Sequence, residues 1–353
     1  MLYSFRHMRG RLAVSALVVA AVVLLTGSVA GGAPSQNPPR LKGKTIAYIQ
    51  AGSVLFYQSL GDGVRGSVKQ LGGKTITFDS RFDAQTEIRN VQDAITRKVD
   101  GIILTSISKT TLLTSARLAK RANIPVVNYY GYLPGITPKN LVLAYVAADA
   151  TTWGTMVGQI MRGYLKKCDG CQVAEVIGLT GRGEVEAAQV AWQIQMREAG
   201  YNIVAEPTSH WVRQEAFDRT LEIMQRFPNL RGLHVGDEDT AAGSIQALKQ
   251  VGKKPGDVVV TSVYASPEGL RLMREGWLQG TAGFSPPQQG VMGVRLLAMR
   301  LAGQKVNVPV PCQAPIVRVV PSNMNKVKVS WVAKPALVRL WLKQGCSNQA
   351  SSG

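Results

Sequence analysis

Outside the N-terminal apolar segment, the side chains with chemical potential are His210 and His234, four cysteines, the acids of Gly236-Asp237-Glu238-Asp239-Thr240, and the turn Leu179-Thr180-Gly181-Arg182-Gly183-Glu184. Catalysis needs a nucleophile, a base and a stabilising group in reach of one another. Neither histidine lies in a catalytic signature, and a lone histidine in a strand is usually a satisfied core residue. The turn has the glycines of a phosphate-binding loop but lacks the Lys and Ser/Thr that hold phosphate and magnesium. The acidic run lacks the ligand spacing of an EF-hand and suits the N-terminal dipole of a helix equally well. The expectation is a protein that is not an enzyme, with no catalytic residue, metal or cofactor.

The cysteines are Cys168, Cys171, Cys312 and Cys346. Asp169-Gly170 between the first two forms a turn, so a local bridge there staples a helix end to the next strand. A redox pair needs a helix N-terminus to lower the thiol pKa, and this pair follows a helix. Zinc is disfavoured because no histidine sits at ligand spacing. The expected pairs are Cys168 with Cys171 and Cys312 with Cys346, although sequence alone does not fix connectivity.

The elements that position these groups are clearest between Val91 and Gly131. Periodicity there passes from helical spacing to the apolar run GIILTS, back to helical spacing over Lys109 to Arg121, and to the short run PVVN. A strand buried on both faces belongs to a parallel sheet, and right-handed crossovers bring successive carboxyl ends to one edge. Ser106 and the group Asn128-Tyr129-Tyr130 therefore share a crevice of the kind in which open α/β sheets bind ligands. The pattern recurs between Met224 and Ala265, which predicts a second lobe.

The length of 353 residues fits two domains, and a hydrophobic content of 45% excludes a disordered chain. Arg6, Arg9 and Arg11 precede an apolar run from Leu12 to Leu25 and the small residues Ser28-Val29-Ala30, the pattern of a cleavable secretory signal. The run is shorter than the roughly 20 residues of a bilayer span. No cysteine is near for a lipid anchor, so a protein soluble outside the cytoplasm is expected. The net charge of +19 is scattered along helix faces with no basic run or nucleic-acid motif, which predicts a solvated basic surface and no nucleic-acid partner.

In order, 1–30 reads as the signal and 31–43 as a flexible leader. Residues 44–148 with 285–315 form the first lobe, 149–284 with 316–330 the second, and 331–353 a tail packed on a lobe. Phe56 and Tyr57 open the first helix, after the strand KTIAYIQ. Asp83 caps the next helix, and Ser285 with its following prolines starts one at a second lobe crossing. The turn-helix after Gly178 is expected to become helical at 185.

The order GKTIAYIQ, FYQSLGDG, VQDAITRKVDGIILTS, ANIPVVNYYG, VAAD, GLTGRGEVEAAQVAWQ, GDEDTAAGSIQALKQVGK, SVYASPEG, REGWLQGTAGFSPPQQG and PIVRVV resembles that of a periplasmic sugar-binding protein of the ribose-binding type, over residues 44 to 321. The resemblance implies an α/β fold of two doubly wound parallel-sheet lobes joined by three hinge crossings and closing on a small-molecule ligand. It implies delivery to a membrane ABC permease, or to a sensor kinase, by a monomer. It places ligand-binding positions at Phe56, Tyr57, Ser106, Tyr130, Ala148, Glu186, Asp237, Tyr264 and Phe284. Such proteins commonly carry Asp where Tyr130 and Tyr264 stand and Arg where Glu186 stands. Aromatic faces stack on the apolar side of a sugar but also hold flat rings and organic cations, and Glu186 with Asp237 would favour a positive group. A sugar or sugar-like solute is expected first, and an amine-bearing or aromatic small molecule second.

Overall fold

In the computed structural model, residues 37–131, 138–166 and 168–347 are described; the expected signal segment and the start of the leader lie outside them. The chain opens with β1 (Thr45–Gln50), α1 (Leu55–Gln70), β2 (Lys74–Asp79), α2 (Ala84–Thr96), β3 (Gly101–Leu104), α3 (Lys109–Arg121), β4 (Val126–Tyr129) and β5 (Ala144–Ala148). It continues with α4 (Ala150–Leu165), β6 (Gln172–Val176), α5 (Gly183–Glu198), β7 (Asn202–Ala205), α6 (Arg213–Arg226), β8 (Gly232–Val235), α7 (Glu238–Gln250), β9 (Val259–Tyr264), α8 (Pro267–Arg274) and β10 (Gly280–Gly283). It returns through α9 (Pro286–Leu301) and β11 (Cys312–Ala314), crosses again into β12 (Val317–Val319), and ends in α10 (Pro335–Trp341).

These strands form two six-stranded sheets, ordered β11-β5-β4-β3-β1-β2 and β12-β10-β9-β8-β6-β7. All pairings are parallel except β10 with β12. The chain passes between the sheets after β5, after β10, and between β11 and β12. The fold is thus two parallel α/β lobes joined by three crossings. β3, β4, β5 and β8 are buried along their whole length, as strands covered by helices on both faces must be.

Side-chain caps fix where α2, α3, α4, α7 and α8 begin. Asp83 accepts from Thr86 N–H, Asp149 from Thr152, Asp237 from Thr240 and Ser266 from Gly269. Ser108 and Thr111 form a reciprocal capping box at α3. Ser285 differs from expectation. It occupies the cap position of α9, but its hydroxyl accepts the Ser330 N–H at 2.9 Å and so ties the tail to the crossing rather than capping the helix. Close helix contact is set by small residues. A Cβ on Gly63 would overlap the Pro287 carbonyl where α1 meets α9, and one on Gly154 would overlap the Ala188 carbonyl where α4 meets α5.

The tail folds back on the first lobe. Val338 and Trp341 of α10 are buried against α1 and α9. Bridges pair Cys168 with Cys171 and Cys312 with Cys346, at Cα separations of 5.5 and 5.0 Å. The second bridge anchors the tail to the edge strand β11.

Candidate functional site

The carboxyl edges of the two sheets face a cavity of about 300 Å³. Its first-lobe wall comes from the start of α1, where Val54, Leu55, Phe56 and Tyr57 follow β1, and from Tyr130 after β4. Its second-lobe wall carries Trp153 of α4, Glu175 of β6, Arg182 and Glu184 at the start of α5, His234 of β8, Asp237 and Glu238 at the start of α7, and Tyr264 of β9. Trp331 of the tail completes it.

The rings meet across the lobes. Phe56 stacks on Tyr264 at 5.1 Å between centroids and 29° between planes, and lies 5.9 Å from Tyr130. Trp153 stacks on Phe284 at 5.8 Å, and Tyr264 touches Phe284 and Trp331 edge-on. Offset and edge-to-face pairs of this kind contribute about 0.5–1.5 kcal/mol each beyond burial. Tyr264 and Tyr130 both have positive φ, 111° and 64°, conformations that non-glycine residues avoid and that cluster where a site over-determines the backbone. Hydrogen bonds hold Tyr130 in place. Ser106 Oγ donates to Asn128 Oδ1 at 2.9 Å, Asn128 Nδ2 donates to the Tyr130 carbonyl at 2.6 Å, and the Tyr130 hydroxyl donates to Gln289 Oε1 at 3.0 Å.

An ion pair within the second lobe hydrogen-bonds to the first. Arg182 donates through Nε to Glu184 Oε1 at 2.5 Å and through Nη1 to the Tyr57 hydroxyl at 2.9 Å, while Gly131 N–H donates to Glu184 Oε2 at 3.3 Å. The Arg182 guanidinium also lies over the Trp211 ring, at 5.4 Å. Burial of Tyr57 raises its phenol pKa, with Arg182 opposing the shift.

The second-lobe floor is acidic. Asp237 caps α7 through Thr240, and loss of water pushes its carboxyl up to about 6. Glu238 accepts the N–H groups of Ala265 and Ser266, and burial pushes it up to about 7. Glu175 and His234 are register partners on β6 and β8. His234 Nδ1 lies 3.1 Å from the Thr261 carbonyl, which assigns the ring proton to Nδ1 and leaves Nε2 as a bare acceptor. Burial lowers its pKa to about 4, so the ring is neutral. Nε2 is 3.8 Å from Glu175 Oε1, too far for a hydrogen bond, and Glu175 Oε2 has no partner. Burial, aided by Glu206, raises the Glu175 carboxyl well above the usual carboxylate range.

Of the residues singled out in the sequence, Phe56, Tyr57, Tyr130, Asp237 and Tyr264 line this one cavity. Ser106, Ala148 and Phe284 are buried behind the wall and do not line it: Ser106 supports Asn128, Ala148 ends β5, and Phe284 backs Phe56 and Trp153. Glu186 is exposed and off the wall, whereas Arg182 and Glu184 are on it. Helix α5 begins at Gly183, two residues before the expected start. Residues two apart on a helix lie about 200° apart around the axis, which turns Glu186 away from the face that Glu184 presents. Sequence reasoning singled out the stretches that hold Arg182, Glu184 and Glu238 but read them as a tight turn and a helix dipole, and it left Glu175 and Trp331 outside the site. Glu175 did carry a signal: a carboxylate inside the apolar strand QVAEVIG must either be paired or border a cavity.

Two parallel-sheet lobes enclose a ring-lined, polar-floored cavity at their facing carboxyl edges. The chain belongs to the periplasmic binding protein domain family, which matches residues 46–305. It is 24% identical to the ribose import binding protein of Escherichia coli K12 over 262 residues, 74% of this chain and 86% of that protein. It is also 24% identical to the D-allose-binding periplasmic protein of the same organism over 248 residues, 69% and 79% of the two chains. Among solved structures, it resembles a solute-binding protein of an ABC transporter from Bacillus halodurans C-125 with bound myo-inositol, with a TM-score of 0.74 and 21% identity over 81% of this chain and 97% of that one. A Mycobacterium smegmatis protein in complex with β-D-fucofuranose gives a TM-score of 0.76 and 17% identity over 86% and 98%.

Proposed function

We propose that this chain captures a small polyhydroxylated, sugar-like solute between its lobes outside the cytoplasm and delivers it to an ABC importer. The observation that carries the reading is the inter-lobe cavity, in which ring faces from both lobes adjoin a floor of hydrogen-bond acceptors. Rings stack on the apolar face of a pyranose or furanose, and carboxylates accept from its hydroxyls. The relatives named for ribose and allose, and the neighbours bound to inositol and a furanose, support a solute of that size and chemistry. The ligand-contacting set is proposed as Phe56, Tyr57, Tyr130, Asp237 and Tyr264, with Arg182, Glu184 and Trp331 added. Ser106, Ala148 and Phe284 act as its backing.

The lobes, 44–148 with 285–315 and 149–284 with 316–330, act as bodies that open and close about the three crossings. Such hinges change angle with little loss of core packing. The protein binds rather than transforms its solute, and works as a monomer. The test is thermal stabilisation of ligand-stripped protein by a panel of pentoses, hexoses and cyclic polyols. Stabilisation by at least one panel member, with one-to-one calorimetric binding, is the expected result, and turnover of that compound would overturn the reading.

A further inference from the structure

The cavity has an electrostatic sign opposite to that of the molecule. The chain carries a net charge of +19, yet Glu175, Glu184, Asp237, Glu238, Asp239 and Glu268 border the cavity, against Arg182 as the lining guanidinium. Arg182 is already committed to Glu184 and Tyr57. Asp237 and Glu238 are likewise committed, to the Thr240 cap and to the amides of Ala265 and Ser266.

Glu175 is different. It is 4% exposed, it borders the cavity, and its Oε2 has no partner. Beside it, 3.8 Å from Glu175 Oε1, His234 Nε2 is an acceptor, since Thr261 holds the ring proton at Nδ1. An unpartnered oxygen on a carboxyl shut away from water, beside an imidazole nitrogen that carries no proton, is a place for a donor. Burial favours the protonated carboxyl; a hydroxyl can hydrogen-bond to it without favouring its ionised form, whereas an ammonium supplies several N–H donors together with the opposite charge that stabilises the carboxylate. The cavity also has the complementary deficit. Trp331 Nε1 is a buried donor without an acceptor, and it borders the same space.

We propose that Glu175 and His234 form an ammonium subsite, so that the solute is an amino sugar or amino polyol, with its nitrogen at Glu175 and an oxygen at Trp331. The inference rests on the solute-capture reading and narrows its ligand class. Ring faces in the same cavity suit a cation as well as they suit a sugar, so they do not oppose the assignment.

The test is calorimetry on ligand-stripped protein with matched pairs: D-glucose and D-glucosamine, D-galactose and D-galactosamine, D-mannose and D-mannosamine, and 1,5-anhydroglucitol and 1-deoxynojirimycin. In at least one pair the amine is expected to bind about tenfold or more tightly than its neutral partner, the scale of one hydrogen bond to a charged group. That preference should fall below about threefold in Glu175→Gln, which keeps the shape and removes the charge. If neutral members bind as tightly as the amines, or the preference survives in Glu175→Gln, the ammonium subsite is wrong and solute capture stands. If no member of either class binds, both readings fail. The wild-type pair comparison decides the matter even if Glu175→Gln does not fold.

Discussion

Replacing Glu175 by Gln should make the ligand-free protein more stable, and increasingly so as pH rises. In the unfolded chain this carboxyl ionises in the ordinary range near 4.3, but in the folded state burial raises its pKa well above that. Between those two values the native state holds a proton that the unfolded state has released. Stability contributed by Glu175 is therefore present at acid pH and is lost as pH rises toward the folded value, with a ceiling of about 1.4 kcal/mol per pH unit. At about 2.1 cal/mol/K of unfolding entropy per residue, that ceiling amounts to roughly 2 °C in Tm per pH unit for a chain of this length. Gln does not titrate, so the Tm of Glu175→Gln relative to the parent should rise steadily from about pH 4 to pH 7.5, by at most about 2 °C per unit. The assay is thermal unfolding followed by circular dichroism, on protein stripped of ligand by unfolding and refolding. Parallel curves for the two proteins across this range would refute the claim that Glu175 is a buried, uncompensated carboxyl.

Asp237 and Glu238, raised to about 6 and about 7, act in the same direction, whereas His234, lowered to about 4, acts in the opposite one. The His234 contribution is present above its unfolded pKa and is lost as pH falls through 6.5 toward 4, so His234→Gln should flatten the acid side of the stability profile measured by the same assay. Tyr264→Ala removes a ring that touches Phe56, Phe284 and Trp331; it should weaken binding of whichever panel compound the parent takes by about 2 kcal/mol or more, read by calorimetry, and unchanged affinity would refute its place in the site. Arg182→Lys cannot serve Tyr57 and Glu184 together and should destabilise the protein by up to about 3 kcal/mol in denaturant titration, in the manner of a broken buried pair. Cys312→Ser should free the tail, lowering stability by about 3–4 kcal/mol and exposing α10 to limited proteolysis, and thiol titration of the unreduced parent should find no free cysteine.

The regular parts of the fold were legible because they carry their own signals. α3 runs from Lys109 to Arg121, as its periodicity implies, because Ser108 and Thr111 cap it and no competing pattern overlaps it. β10, Gly280–Gly283, carried no strand signal: GTAG has no apolar run, and it is a strand only because β9 and β12 flank it. β11 is three residues long, and its place depends on pairing with β5, far away in sequence. The rings of the candidate site could be read from the sequence because they follow strand ends, where the topology itself dictates a crevice. Its polar floor could not. Glu184 and Glu186 differ only in rotation about α5, which a two-residue uncertainty in the helix start erases. Trp331 reaches the cavity through the tail's return across the lobe junction, where Ser59 donates to its carbonyl and Ser285 accepts from Ser330.

The most direct test of solute capture in the inter-lobe cavity is native mass spectrometry of the protein purified from its host without denaturation, beside the double variant Tyr130→Ala/Tyr264→Ala. The account predicts one small polar molecule per chain in the parent, released on denaturation, and none in the variant. A variant that retains the same molecule at the same occupancy would contradict it.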